Sequence, residues 1–266
     1  MAEWGDRTKP PLVLLHGFSQ SSSTWEQVAQ RLANDRFVVA PDFIGHGKSD
    51  KSRELESYEM GAVLNMITGL LRWLWADQID LCGYSMGGRV ALAFACTQPQ
   101  RVSSLILEST GLGPKTEQQH QAMLRRDSEM IAKLSDGSIE EFMNEWEQQP
   151  VFESQHKLSA ETKKALRRAR CNNDPLALAL TIRGMGQHTM PDLSRRIEKL
   201  PMPILYIAGI LDRRYVKIAE ALQYVEGISS VLLNTGHNTH LEAPDSFTKQ
   251  VNAFLRDSSS LGMDFF

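Results

Sequence analysis

Apolar residues are distributed along the chain in two ways. Some form short unbroken runs bounded by Gly and Pro; others recur every three or four positions through longer stretches. Leu12–Leu15, Phe37–Ala40, Ile79–Cys82, Leu105–Leu107, Ile204–Ala208 and Val231–Leu233 are of the first kind, expected of strands buried on both faces of a parallel sheet. Thr24–Ala33, Tyr58–Trp75, Gly87–Thr97 and Ser246–Leu255 are of the second kind and predict helices. Strand alternating with helix predicts an α/β fold, a mostly parallel sheet flanked by helices.

The alternation stops between 113 and 191. No strand-like run occurs there, and the pattern predicts four amphipathic helices: Glu117–Leu134, Ile139–Gln148, Ala160–Asn172 and Pro175–Gln187. The expected organisation is a core of residues 1–112 and 192–266 with a helical cap, 113–191, over the C-terminal edge of the sheet. That edge is where open α/β sheets place their sites. The stretch Asp257–Ser260 reads as a frayed end.

A length of 266 residues, 42% of them hydrophobic, suits one large α/β domain or a core plus a sizeable insertion. The 29 basic and 32 acidic residues leave a net charge of −3, so no basic field draws in nucleic acid or anionic lipid. Any anion must therefore be held by locally placed arginines. The start of the chain lacks the basic and apolar segments of a secretory signal. The longest apolar stretch, Met60–Ala76, is interrupted by Asn65, Thr68 and Arg72, and falls short of the roughly 20 apolar residues of a membrane span. Cys82, Cys96 and Cys171 form no C-x-x-C pair, which fits buried free thiols in a cytoplasmic protein.

Gly83-Tyr84-Ser85-Met86-Gly87 sits between a predicted strand and a predicted helix, the setting that a G-x-S-x-G nucleophile elbow requires. A serine hydroxyl becomes a useful base or nucleophile only when a histidine takes its proton and a carboxylate fixes that histidine's tautomer. Asp212 follows the strand Ile204–Ala208 and His237 follows Val231–Leu233, giving the chain order Ser, Asp, His with all three at C-terminal strand ends. His16-Gly17-Phe18 ends the first strong strand, so the backbone N–H of Phe18 can join that of Met86 in an oxyanion hole, while His16 reads as a structural ring. Gly45-His46-Gly47-Lys48-Ser49 imitates the end of a phosphate loop, but Asp42 occupies the position where that motif needs its first glycine; His46 then belongs to a structural turn. His237, His240 and Glu242 lack the helical spacing of a zinc site, so no metal is expected, and His240 and Asn238 are assigned to shaping the loop around His237.

The elbow, the His-Gly-Phe loop, the Gly-His-Gly-Lys-Ser turn and the ordered triad together resemble the α/β-hydrolase superfamily over nearly the whole chain. With only about ten residues before the first clear strand, the hairpin that usually opens this fold is expected to be shortened. A narrower resemblance rests on Gly-Tyr-Ser-Met-Gly-Gly-Arg at 83–89, Glu108-Ser-Thr-Gly, Trp146-Glu-Gln-Gln-Pro-Val-Phe and Gly236-His-Asn-Thr-His-Leu-Glu. These segments are similar to the 2-succinyl-6-hydroxy-2,4-cyclohexadiene-1-carboxylate synthases of menaquinone biosynthesis.

The resemblance implies a lyase without metal or organic cofactor, in which the triad removes a ring proton and pyruvate is eliminated from an enolpyruvyl cyclohexene carrying several carboxylates. It implies a substrate site formed by Arg89, Arg125, Arg170, Tyr84 and Trp146, with Arg126 competing with Arg125 because the match slips by a residue. Arg167 and Arg168 read as solvated. The competing readings are a carboxylic-ester or carbon–carbon bond hydrolase using the same triad, and a non-catalytic binding protein. Oligomeric partners are not addressed by any of these motifs.

Overall fold

A computed structural model describes residues 1–261 of the chain. Among them, seven strands form one sheet: β1 (Ala2–Trp4), β2 (Pro11–Leu15), β3 (Phe37–Ala40), β4 (Ile79–Tyr84), β5 (Val102–Glu108), β6 (Ile204–Gly209) and β7 (Ile228–Leu233). Their order is β1-β3-β2-β4-β5-β6-β7, and every pairing is parallel except that of β1 with β3. The shortened opening is thus a three-residue edge strand, with Ala2 opposite Ala40 and Trp4 opposite Val38.

Side chains alternate across the sheet as strand geometry demands. Val13 and Leu15 enter the larger core cluster, whereas Leu12 and Leu14 enter the cluster on the other face with Trp25 and Phe247. The covering helices are α1 (Glu26–Leu32), α2 (Met60–Leu74), α3 (Met86–Thr97), α9 (Arg213–Leu222) and, after the single turn α10 (Thr239–Glu242), α11 (Pro244–Leu261). Burial on both faces explains why β3, β4 and β6 read as unbroken apolar runs. At the far edge, β7 starts at Ile228, three residues before its apolar run, because Ser229 is exposed there and needs no core partner. The expected frayed end at Asp257–Ser260 is instead helical, since α11 runs on to Leu261 with Val251 and Leu255 anchored in the core.

Between β5 and β6 the described chain is helical: α4 (Glu117–Asp136), α5 (Ile139–Trp146), a 3-10 helix (Pro150–Lys157), α6 (Ala160–Cys171), α7 (Pro175–Met185) and α8 (Ser194–Ile197). Thr116, Ser138, Ser159 and Asp174 each accept a backbone N–H at the start of α4, α5, α6 and α7. Such caps are each worth about 1 kcal/mol and explain why these helices start where they do. The cap has its own core of Leu134, Phe142, Met143, Trp146, Phe152 and Leu178. Its two ends meet where Gly113, at φ +93°, passes so close to Pro191 that a Cβ would lie 2.0 Å from the Pro191 carbonyl oxygen. Among the described residues no helix is long and apolar enough to cross a membrane.

Candidate active site

β4 ends at Tyr84 and α3 begins at Met86, so the whole reversal falls on Ser85, whose φ of 51° and ψ of −106° are strained for a residue with a side chain. The turn closes because its neighbours have no Cβ. One on Gly83 would lie 2.4 Å from the Gly87 carbonyl oxygen, and one on Gly87 would lie 2.2 Å from that of Leu15. Two backbone bonds hold it: Ser85 N–H to Glu108 O at 2.9 Å and Arg89 N–H to Ser85 O at 3.0 Å.

Asp212 occupies the N-cap position of α9 without capping it by its side chain, which leaves the carboxylate for the histidine. His237 Nδ1–H donates to Asp212 Oδ2 at 2.6 Å, and the Ser85 hydroxyl donates to His237 Nε2 at 3.0 Å. The relay of carboxylate, imidazole and hydroxyl predicted from three strand ends is therefore assembled. The loops carrying Asp212 and His237 touch through glycine, since a Cβ on Gly209 would fall 2.0 Å from Gly236 O. Tyr84 and Tyr215 flank the imidazole, with ring centroids at 5.2 and 4.9 Å.

Met86 is the first residue of α3, so its N–H has no acceptor within the helix. Phe18 and Met86 both line the cavity with Ser85, and among the described residues no hydrogen bond occupies the Phe18 N–H. His16 holds this loop from below: Nδ1–H donates to Gly17 O at 2.8 Å and Nε2 accepts from Phe43 N–H at 3.0 Å. Burial pushes the His16 ring down to about 4, which keeps Nε2 available as an acceptor. The Gly-His-Gly turn is filled from within. Asp42 accepts from Ser22 N–H at 2.6 Å and Lys48 N–H at 2.9 Å, so its own carboxylate stands where a phosphate would need those donors. His46 is buried in that turn and is pushed down to about 3, first by burial and then by the neighbouring His16.

His240 and Asn238 support the loop that carries His237. His240 Nδ1 lies 2.6 Å from Glu108 Oε2, the ring stacks on Trp25 at 3.8 Å, and Asn238 caps the N–H of Leu241 at 3.1 Å. Glu108 also accepts from Thr239 Oγ1 and His240 N–H at 2.8 and 2.9 Å. Its backbone holds Ser85 and its side chain holds the loop after His237, a link that the quoted Glu-Ser-Thr-Gly segment did not reveal. Burial raises the thiols of Cys82 and Cys96, whereas Cys171, expected to be buried, is only half-buried.

A cavity of about 830 Å³ opens between the triad and the cap. Tyr84, Arg89, Trp146 and Arg170 line it as expected. Arg125 does not: it is exposed, and Arg126 lines the cavity instead, its Nη2 donating to Gln149 Oε1 at 3.0 Å. One residue along a helix turns the side chain by about 100°, so a slip of one position selects the opposite outcome. Arg170 is only 3% exposed and donates to Glu147 Oε1 at 3.0 Å and Gln155 Oε1 at 3.2 Å, while its Nε has no partner. Arg167, expected to be solvated, is a strut: it reaches Glu147 Oε2 at 3.0 Å and Asn144 Oδ1 at 2.6 Å, so one carboxylate steadies two guanidinium groups. Arg168 is exposed.

Sequence reasoning missed Asp127, Lys157, Arg213, Arg214 and Tyr215, all of which line the cavity. A signal existed for the last three, which directly follow the triad aspartate. None existed for Asp127, which lies inside a generic amphipathic helix. Among the described residues, six Arg and Lys side chains and three carboxylates line the cavity.

A sheet of this order with a serine elbow, an aspartate after β6 and a histidine after β7 defines a class, and the chain belongs to it: the alpha/beta hydrolase fold family matches residues 10–244. The chain is 30% identical over 253 residues to the 2-succinyl-6-hydroxy-2,4-cyclohexadiene-1-carboxylate synthase of Yersinia pestis bv. Antiqua (strain Nepal516), covering 95% of this chain and 89% of that protein. Within the fold it is a member of that synthase family. It superposes on MenH from S. aureus with a TM-score of 0.92 at 31% identity, covering 97% and 98% of the two chains. A malate-bound thermophilic esterase from Thermogutta terrifontis superposes with a TM-score of 0.81 at 25% identity, over 97% of this chain and 92% of that one.

Proposed function

We propose that this protein is a lyase of menaquinone biosynthesis. It eliminates pyruvate from 2-succinyl-5-enolpyruvyl-6-hydroxy-3-cyclohexene-1-carboxylate to give 2-succinyl-6-hydroxy-2,4-cyclohexadiene-1-carboxylate. Membership of the synthase family over nearly the full chain carries this reading, and the assembled triad beneath an arginine-rich roof supports it.

His237 Nε2 takes the Ser85 proton, and the serine oxygen removes the ring proton alpha to the succinyl ketone. Asp212 holds Nδ1–H in place and stabilises the imidazolium that forms. Charge then develops on the ketone oxygen, where the N–H groups of Phe18 and Met86 receive it, helped by the positive end of α3. As the enolate collapses, the ring double bond shifts and the carbon–oxygen bond to the enolpyruvyl group breaks. The proton taken from the ring balances the one the leaving enolate needs to become pyruvate. The reading calls for no metal or organic cofactor.

The substrate carries three carboxylates, and the cavity's surplus of basic groups matches a polycarboxylate. Arg89, Arg126 and Arg170 are the assigned carboxylate holders, with Tyr84 and Trp146 as walls. The test is pyruvate release from the enolpyruvyl precursor by the pure protein, followed with a coupled lactate dehydrogenase. Steady release supports the lyase; no release together with rapid turnover of simple carboxylic esters would make the protein a hydrolase using the same triad.

A further inference from the structure

Asp127, on α4, is 4% exposed and lines the cavity. Its Oδ2 accepts from two donors of one residue, the His188 N–H at 3.0 Å and His188 Nδ1 at 2.8 Å. These bonds clamp the turn that ends α7. The two carbonyl oxygens just before the clamp, those of Met185 and Gly186, both accept from Arg89 Nη1 at 2.8 Å. The turn is tightly seated, because a Cβ on Gly186 would lie 2.6 Å from Asp127 Oδ2 and 2.7 Å from His188 Nδ1. Thr189 Oγ1 adds a bond to Gly186 O at 3.1 Å.

Arg89 therefore does not aim itself. Its guanidinium rises from the catalytic core and is held by cap carbonyls whose position depends on a carboxylate of another helix. We infer that Asp127 is a positioning residue for Arg89: by clamping the 185–188 turn it fixes the direction in which that guanidinium meets a substrate carboxylate. The inference rests on the reading of Arg89 as a carboxylate holder.

Asp127 has two opposing effects on an anionic ligand. The clamp presents Arg89, which favours binding, while its own negative charge in the cavity wall disfavours it. Burial lowers the Arg89 pKa, and the charge of Asp127 is the largest influence opposing that shift. Two substitutions separate these effects. Asp127→Asn keeps an acceptor oxygen for His188 and removes the charge; Asp127→Ala removes both.

The experiment measures the Kd of succinate by calorimetry, and KM and kcat for pyruvate release, in the parent, Asp127→Ala, Asp127→Asn, His188→Ala and Arg89→Ala proteins. Asp127→Ala is expected to raise Kd and KM about fivefold or more with kcat within about twofold, as for loss of an oriented charge-assisted bond. Asp127→Asn should bind as tightly as the parent or more tightly. His188→Ala, which keeps the backbone half of the clamp, should weaken binding less than Asp127→Ala and serves if that variant does not fold. Parent-like Kd and KM in Asp127→Ala, or in His188→Ala where the first variant does not fold, would overturn the proposal even with a lowered Tm, as would equal weakening by Asn and Ala. If Arg89→Ala weakens succinate binding and neither clamp variant does, only the clamp is wrong. If Arg89→Ala binds succinate like the parent, the carboxylate-holder reading itself falls and the clamp with it.

Discussion

The floor and the roof of the cavity are built by different means. In the floor, Ser85, Asp212 and His237 sit within a residue or two of strand and helix ends, and glycine contacts lock their backbones into place. In the roof, Arg126 and Arg170 are long side chains on separate cap helices, each aimed by partners far away in the chain such as Gln149 and Glu147. Backbone geometry specifies the first; side-chain packing specifies the second. On the proposed reading, the chemistry belongs to the floor and the choice of substrate to the roof.

This division predicts separable defects. Ser85→Ala should lower kcat by about 10²–10⁴, the usual worth of a positioned proton-transfer group, while succinate still binds with the parent Kd. Weakened succinate binding in that variant would show that floor and roof are not independent.

Acid should attack the floor first. Burial holds His16 at about 4 and His46 at about 3, against 6.5 for a free ring, so both are neutral when folded and take up protons more readily when unfolded. Their contribution is complete above about pH 6.5 and is lost as pH falls through 6 towards 4, on the order of 3 kcal/mol for His16 alone. Urea midpoints measured across that range should fall steadily; a flat profile would mean that the loop beneath Phe18 is not held by neutral rings.

In the roof, Arg126→Ala should raise KM about tenfold or more with little change in kcat, from one charge-assisted bond of roughly 1.5–3 kcal/mol. The smallest effect is expected at its neighbour: Arg125→Ala should leave both constants within about twofold of the parent. Equal losses at the two positions would mean that general charge in the cap, rather than a directed guanidinium, attracts the substrate.

Much of the floor was legible in the sequence. Six strands, the elbow and the order of the triad follow from apolar runs and from glycines at fixed spacing. The edge strand Ala2–Trp4 was not legible, because three residues pairing with β3 at the sheet's rim carry no periodic signal. Asp42 was legible as excluding a phosphate loop, but not the way its carboxylate takes the N–H groups of Ser22 and Lys48 that a phosphate would need. In the roof the pattern showed helices, and the resemblance pointed to Trp146 and Arg170, which line the cavity. That pattern showed that α4 exists, but choosing between Arg125 and Arg126 required knowing which face of α4 meets the cavity.

Sequence alone thus determined the alternating fold, the three residues of the relay and the family to which their motifs point. Those properties are set by local backbone: a parallel strand delivers its C-terminal residue to one edge, and only glycine permits the turn that lifts Ser85. Tertiary structure decided that Arg126 rather than Arg125 faces the cavity, that Glu147 steadies Arg170 together with its neighbour Arg167, and that Asp127 clamps the turn holding Arg89. A guanidinium lies several rotatable bonds from its backbone, so its direction is set by partners that only folding brings within reach.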